Sequence, residues 1–222
     1  MRVLLAALLL ATCLVLTACG EDETSDIPDG GEATSAGQEP TETTAAGAED
    51  ACQNKETKGA ALAEGKDYSV DVTTSEGAFT IALDPEKGPR TARSFVDLAK
   101  KGFFDDTEFH RIVPDFVIQG GDPTNSGTGG PGYSTCDTPP PDTKYTKGVV
   151  AMAKSAQEEP GTAGSQFYVV TGDASQLPAE YAVLGEVSKG LATAEKIGKL
   201  GDPATEKPTK KVVIEKTEVV EE

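Results

Sequence analysis

The 222-residue sequence predicts a mainly β fold: a closed, eight-stranded antiparallel β-barrel capped by two helices. Three observations carry this. Eight short segments between residues 68 and 220 alternate, or run apolar, over strand lengths. Only two stretches show a helical period. No regular strand–helix–strand rhythm joins them, so a doubly wound sheet is disfavoured. Closing such a sheet also removes its exposed edges.

Taken in order, residues 68–74 alternate like a half-buried strand, and Ser75-Glu76-Gly77 turns the chain back into a second at 78–83. Asp84-Pro85 and Gly88-Pro89 end that strand. Thr91 is then placed to cap a helix with Ala92, Phe95, Val96 and Ala99 on one face, Leu98 at its margin and Gly102 as the stop. Strands follow at 109–113 and 116–119, bent apart at Pro114. Residues 120–142 are rich in Gly and Pro and read as loop. Further strands are expected at 148–153, 166–171 and 182–187. Leu191, Ala194 and Ile197 mark the second helix, and a strand over 212–220 ends the chain.

The front of the chain is different. Residues 3–16 are almost wholly apolar behind Met1-Arg2, which fits the core of an export signal and is too short for an ordinary spanning helix of about 20 residues. Leu16-Thr17-Ala18-Cys19-Gly20 resembles a bacterial lipobox. That reading makes residues 1–18 a lipoprotein signal peptide and Cys19 the lipidated end of the mature chain, with palmitate-type acyl groups holding the protein at the extracytoplasmic face of the cell membrane. A plain secretory signal with an incidental Cys19 is the alternative. Residues 21–50 hold ten acids and no Lys or Arg, so residues 19–51 read as an acidic disordered tether and residues 52–222 as the folded domain.

The whole chain carries a formal charge of −17, and residues 52–222 hold 19 basic against 27 acidic groups. No clustered positive charge exists to meet phosphates, so nucleic acid is not an expected partner. Of the four cysteines, Cys52 and Cys136 remain after the signal and the lipid site are set aside. In an oxidising compartment they are expected to form a disulfide bond; two unpaired surface thiols are the alternative. Two distant Cys and one His do not make a metal set, and no cofactor is expected. His110 is the sole histidine, Gly164-Ser165-Gln166 lacks a nucleophile elbow, and Gly127-Thr128-Gly129-Gly130 is followed by no P-loop lysine. Hydrolysis and phosphoryl transfer are thereby disfavoured.

What stands out is Phe109-His110-Arg111-Ile112-Val113-Pro114-Asp115-Phe116-Val117-Ile118-Gln119-Gly120-Gly121-Asp122. A permanent cation, a large aromatic and an amide fall within nine residues, with no ordinary nucleophile among them. Such a set suits twisting a bond without breaking one. An X-Pro amide is planar through resonance and isomerises in tens to hundreds of seconds unaided. At the twisted state the prolyl nitrogen becomes a hydrogen-bond acceptor, and Arg111 is the natural donor. Phe116 can floor a pocket for the pyrrolidine ring, and Gln119 can orient the guanidinium or hold the substrate carbonyl.

Together with Gly164-Ser165-Gln166-Phe167-Tyr168-Val169-Val170, this run resembles the two core motifs of cyclophilin-type peptidyl-prolyl cis-trans isomerases, here in a bacterial lipoprotein form. The resemblance implies an isomerase that acts on proline-containing polypeptides, assisting the folding of exported proteins, and a monomer. It implies catalytic Arg111, Phe116 and Gln119. It also implies a substrate groove of Val117, Ala153, Gln166, Tyr168, Leu177, Tyr181 and Leu184, with Phe167 pointing into the barrel and His110 in a supporting place. Val117 stands where the family often has Met, Tyr168 where it usually has Phe, and Tyr181 where eukaryotic members have His. The chain has no tryptophan, and Gln176 or a neighbour stands where many members carry one.

Overall fold

In the computed structural model, residues 62–222 are described. The expectations for residues 1–61, namely the signal peptide, the tether, lipidated Cys19 and a paired Cys52, lie outside the described residues.

The chain opens with a hairpin, β1 (Tyr68–Thr74) and β2 (Gly77–Leu83), with Val72 paired to Phe79 and Val70 to Ile81. Helix α1 (Pro89–Lys100) follows and buries Ala92, Phe95, Val96, Leu98 and Ala99, the face its apolar spacing predicts. Gly102, at φ 65, accepts the left-handed turn that stops it. Its start differs from expectation. Gly88 is the N-cap and Pro89 opens the helix, while Thr91 lies inside and donates its N–H to Asp137 Oδ2 at 2.6 Å. The cap is thus supplied from 46 residues away.

Two-residue β3 (Thr107–Glu108) leads into β4 (Arg111–Val113), which turns at Pro114-Asp115 into β5 (Val117–Gly120). The N–H of Phe116 donates to the carbonyl of Val113, and Asp115 takes φ 55 at the third turn position. A side ladder joins β6 (Thr135–Cys136) to β8 (Thr162–Ala163). Central strands β7 (Val149–Met152), β9 (Phe167–Val170) and β10 (Val183–Lys189) precede α2 (Leu191–Gly198) and β11 (Val213–Glu221).

The main sheet runs β3-β11-β1-β2-β10-β7-β9-β5-β4, with every pairing antiparallel. It is a curved, open half-barrel of nine strands capped by two helices, and this corrects the closed eight-stranded barrel. The ninth strand is β3, which pairs with β11 at Val213 and Ile214 rather than prolonging β4. The sheet stays open because β3 and β4 do not pair. The outer edge of β4 is covered instead by a loop, with Ile112 N–H donating to the carbonyl of Glu206 at 2.8 Å.

Alternation along the strands divides side chains between two clusters. Ile112, Ile118, Val150, Met152, Phe167 and Val169 enter the main core, where Phe167 meets Phe95 edge-on at 5.4 Å. Val117, Ala151, Tyr168, Val170 and Val183 face the other way, under Tyr145 and Ala174.

The expectation of a lipid-anchored protein at the cell membrane is corrected. No described helix is long and apolar enough to cross a membrane, and Tyr133 is the one large hydrophobic side chain exposed among the described residues. The lipoprotein and palmitate readings are not carried further. Cys136 is fully buried and disulfide-bonded.

Candidate active site

Register sets the site. Arg111 pairs with Gln119, Gln119 with Tyr168, and Tyr168 with Ala151, so β4, β5, β9 and β7 form one cross-strand row on the face away from the core. Beside it lies a cavity of about 130 Å³ lined by Arg111, Phe116, Val117, Gln119, Ala153, Lys154, Tyr168, Leu177 and Tyr181. Eight of these nine are residues the sequence singled out. A larger groove of about 1130 Å³, lined by charges of both signs such as Lys66, Asp67 and Lys87, contains none of them.

Two expected residues stand elsewhere. Leu184 is fully buried in the main core and is no pocket wall. Strand alternation gives the outward place to Val183, one position earlier. Gln166 does not line the cavity but stands at the centre of a chain of hydrogen bonds. Arg111 Nη1 donates to Gln119 Oε1 at 3.4 Å, and Gln119 Nε2 donates to Gln166 Oε1 at 3.0 Å. Gln166 Nε2 then donates to the carbonyls of Gly127 and Gly129, at 3.0 and 2.9 Å.

That glycine loop is tied in turn to Asp122, which is fully buried. Burial alone would push its carboxyl up. Bonds from the Thr124 hydroxyl and from the N–H groups of Thr124, Gly129 and Gly127 outweigh burial and hold it far below the usual carboxylate range. Asp122 ends the Gln119-Gly120-Gly121-Asp122 run, so its neighbourhood is visible in sequence although its loop-tying role is not.

Residues outside the motifs complete the site. Arg111 Nε donates to Glu206 Oε2 at 2.7 Å across 95 positions. Lys154 is buried against Glu180, at 3.2 Å, with its ammonium 5.7 Å from the Tyr181 ring centre. Tyr145 donates to the carbonyl of Tyr181 at 2.7 Å and accepts its N–H at 2.9 Å, while burial pushes the Tyr145 phenol up to about 12. Tyr145 and Lys154 thereby fix the Tyr181 wall. Only Lys154, next to Ala153, had a sequence signal nearby.

Tyr168 is 5% exposed and its hydroxyl meets no partner, so burial, with the neighbouring Tyr145 and Tyr181, pushes the phenol far up. A buried hydroxyl without a partner is destabilising. Tyr168→Phe is expected to raise stability by about 1 kcal/mol in urea unfolding while leaving isomerase activity near wild type. A loss of stability would show that the hydroxyl is satisfied.

Neither buried ring nitrogen of His110 makes a well-formed hydrogen bond, although the ring lies against the backbone of Glu108. Burial lowers its pKa, against the opposing pull of Asp122. A folded-state pKa below the unfolded value of about 6.5 means that the unfolded chain takes up the proton first. His110 therefore withdraws stability as pH falls below about 6.5, down to its folded pKa. Unfolding midpoints measured from pH 7.5 to 5 should fall less steeply in His110→Gln than in wild type; parallel curves would contradict this.

A fixed guanidinium beside a small cavity walled by the rings of Phe116, Tyr168 and Tyr181 is suited to stabilising a twisted amide. The comparisons agree. A model of the family described as cyclophilin type peptidyl-prolyl cis-trans isomerase/CLD matches residues 69–219. The chain is 35% identical over 162 residues to peptidyl-prolyl cis-trans isomerase CYP18-2 of Arabidopsis thaliana, covering 71% of this chain and 97% of that relative. It is 36% identical over 150 residues to peptidyl-prolyl cis-trans isomerase-like 1 of Homo sapiens, covering 66% and 89%. A crystal structure of a cyclophilin type isomerase from Cryptosporidium parvum matches with TM-score 0.64 and 29% identity, covering 69% and 98%. A second crystal structure of that isomerase, in the presence of the dipeptide Ala-Pro, matches with TM-score 0.63 at the same identity, covering 68% and 98%.

The fold and site define a peptidyl-prolyl isomerase. This chain belongs to the cyclophilin-type peptidyl-prolyl cis-trans isomerases. It is an enzyme that isomerises X-Pro bonds and assists protein folding.

Proposed function

We propose that Arg111 is the catalytic residue of this isomerase and that its clients are exported polypeptides. The observation that carries the first half is the guanidinium held at the rim of a cavity lined by Phe116 and Tyr168. The pyrrolidine ring sits on Phe116, with Val117, Ala153, Leu177 and Tyr181 as walls. Arg111 donates to the prolyl nitrogen as it turns pyramidal, which favours the twisted state over both planar ones. Gln119 orients the guanidinium. No proton changes hands.

The second half is supported by the apolar stretch at residues 3–16, which reads as an export signal, and by the disulfide at Cys136, a bond favoured in oxidising compartments. Each half has its own test. Exchange NMR on an Ala-Pro peptide with catalytic protein should show cis–trans cross-peaks, with amide shifts centred on Phe116, Gln119 and Tyr168. Shifts centred elsewhere would relocate the site. Residues 1–51 fused to a reporter active only after export should give signal outside the cytoplasm; a reporter retained inside would remove the exported-client reading.

A further inference from the structure

We infer that Glu206 is a positioning residue for Arg111, presented by a loop built to hold its carboxylate at the guanidinium. This rests on the catalytic role proposed for Arg111. The Nε–Oε2 distance of 2.7 Å is that of a charge-assisted hydrogen bond. Glu206 is no wandering surface acid. Its N–H donates to the carbonyl of Asp202, and its own carbonyl accepts the N–H of Ile112, the residue after Arg111. Asp202 Oδ1 in turn takes the N–H groups of Ala204 and Thr205, at 2.8 and 3.1 Å, and Gly201 bridges to Pro208. The 201–208 loop is thereby laced to itself and to β4. Glu206 sits at φ 57, a conformation that a non-glycine residue holds only where its surroundings impose it.

The geometry divides the guanidinium between two anchors. Nε is held by Glu206 and Nη1 by Gln119, while Nη2 has no acceptor among the described residues. Two anchors on one planar fork remove the rotation of a long side chain before substrate arrives. The pair itself is open to water, with side chains 37% and 46% exposed, so it contributes little to stability. An effect on rate without an effect on unfolding is the expected signature.

The test is a double-mutant cycle on an Ala-Pro peptide, with thermal midpoints measured alongside. Glu206→Ala should lower kcat/KM roughly three- to tenfold, the loss falling on kcat and the midpoint unchanged. Glu206→Gln, which keeps an acceptor and the loop shape, should lose less. In an Arg111→Ala background the Glu206→Ala change should shrink to within about twofold, because nothing is left to position. Equal losses in both backgrounds, or none from Glu206→Ala when Arg111→Ala is costly, would overturn the inference alone. If Arg111→Ala is itself silent, the catalytic assignment falls and this inference with it.

Discussion

Arg111→Ala is expected to lower kcat/KM for an Ala-Pro peptide by about 10²-fold or more, near 3 kcal/mol of transition-state stabilisation. The guanidinium lies beside the proline-sized cavity, and Lys154, the other cation that lines it, is turned to Glu180 and the Tyr181 ring. The fold should survive the change, since Arg111 is over a third exposed at its side chain and its ion pair is worth little in water. Arg111→Lys is a sharper probe. An ammonium keeps the charge but cannot reach Glu206, Gln119 and substrate from one rigid fork, so most of the loss should remain. A protease-coupled assay, with circular dichroism confirming the fold, measures both. An Arg111→Ala enzyme within twofold of wild type would falsify the mechanism.

Gly172→Ala should be the most damaging small substitution near the site. The N–H of Gly172 donates to the carbonyl of Phe116, and that of Asp173 to the carbonyl of Asp115, so the β4–β5 turn rests directly on glycine backbone. A Cβ at residue 172 would overlap the carbonyl of Asp115 and lie 2.7 Å from its Cα. The obstacle is the backbone of Asp115, so relief requires parting the turn from the end of β9. A loss of about 3 kcal/mol or more is expected, roughly 10 °C in the thermal midpoint, with activity falling as Phe116 is displaced. Gly130→Ala is the control, because its Cβ would meet open space. Urea unfolding of the two variants should separate them clearly. Similar midpoints would mean that the turn yields without penalty.

Much of the site was legible because strand alternation is local. Arg111, Gln119 and Tyr168 occupy outward positions of their strands, and the resemblance of the two motifs already implied that they share one site. The same rule explains the miss at Leu184. Its strand was recognised, but the apolar run Ala182-Val183-Leu184 does not reveal which member faces the core. The helix face of α1 was readable from its period, whereas its cap was not: Asp137 arrives from a distant loop and does what Thr91 was expected to do.

By itself the sequence determined eight of the strands, both helices, the apolar face of α1, the family and the identity of the cation, aromatic and amide, all of which depend on residues near one another in the chain. Only the tertiary structure decided that the sheet stays open at nine strands, that Glu206 holds Arg111 from 95 positions away, and that Asp122 ties down the loop bracing Gln166. Those outcomes turn on which segments meet across long separations. Hydrophobic period and turn chemistry do not encode such meetings; the closing of backbone hydrogen bonds and the pairing of charges in three dimensions do.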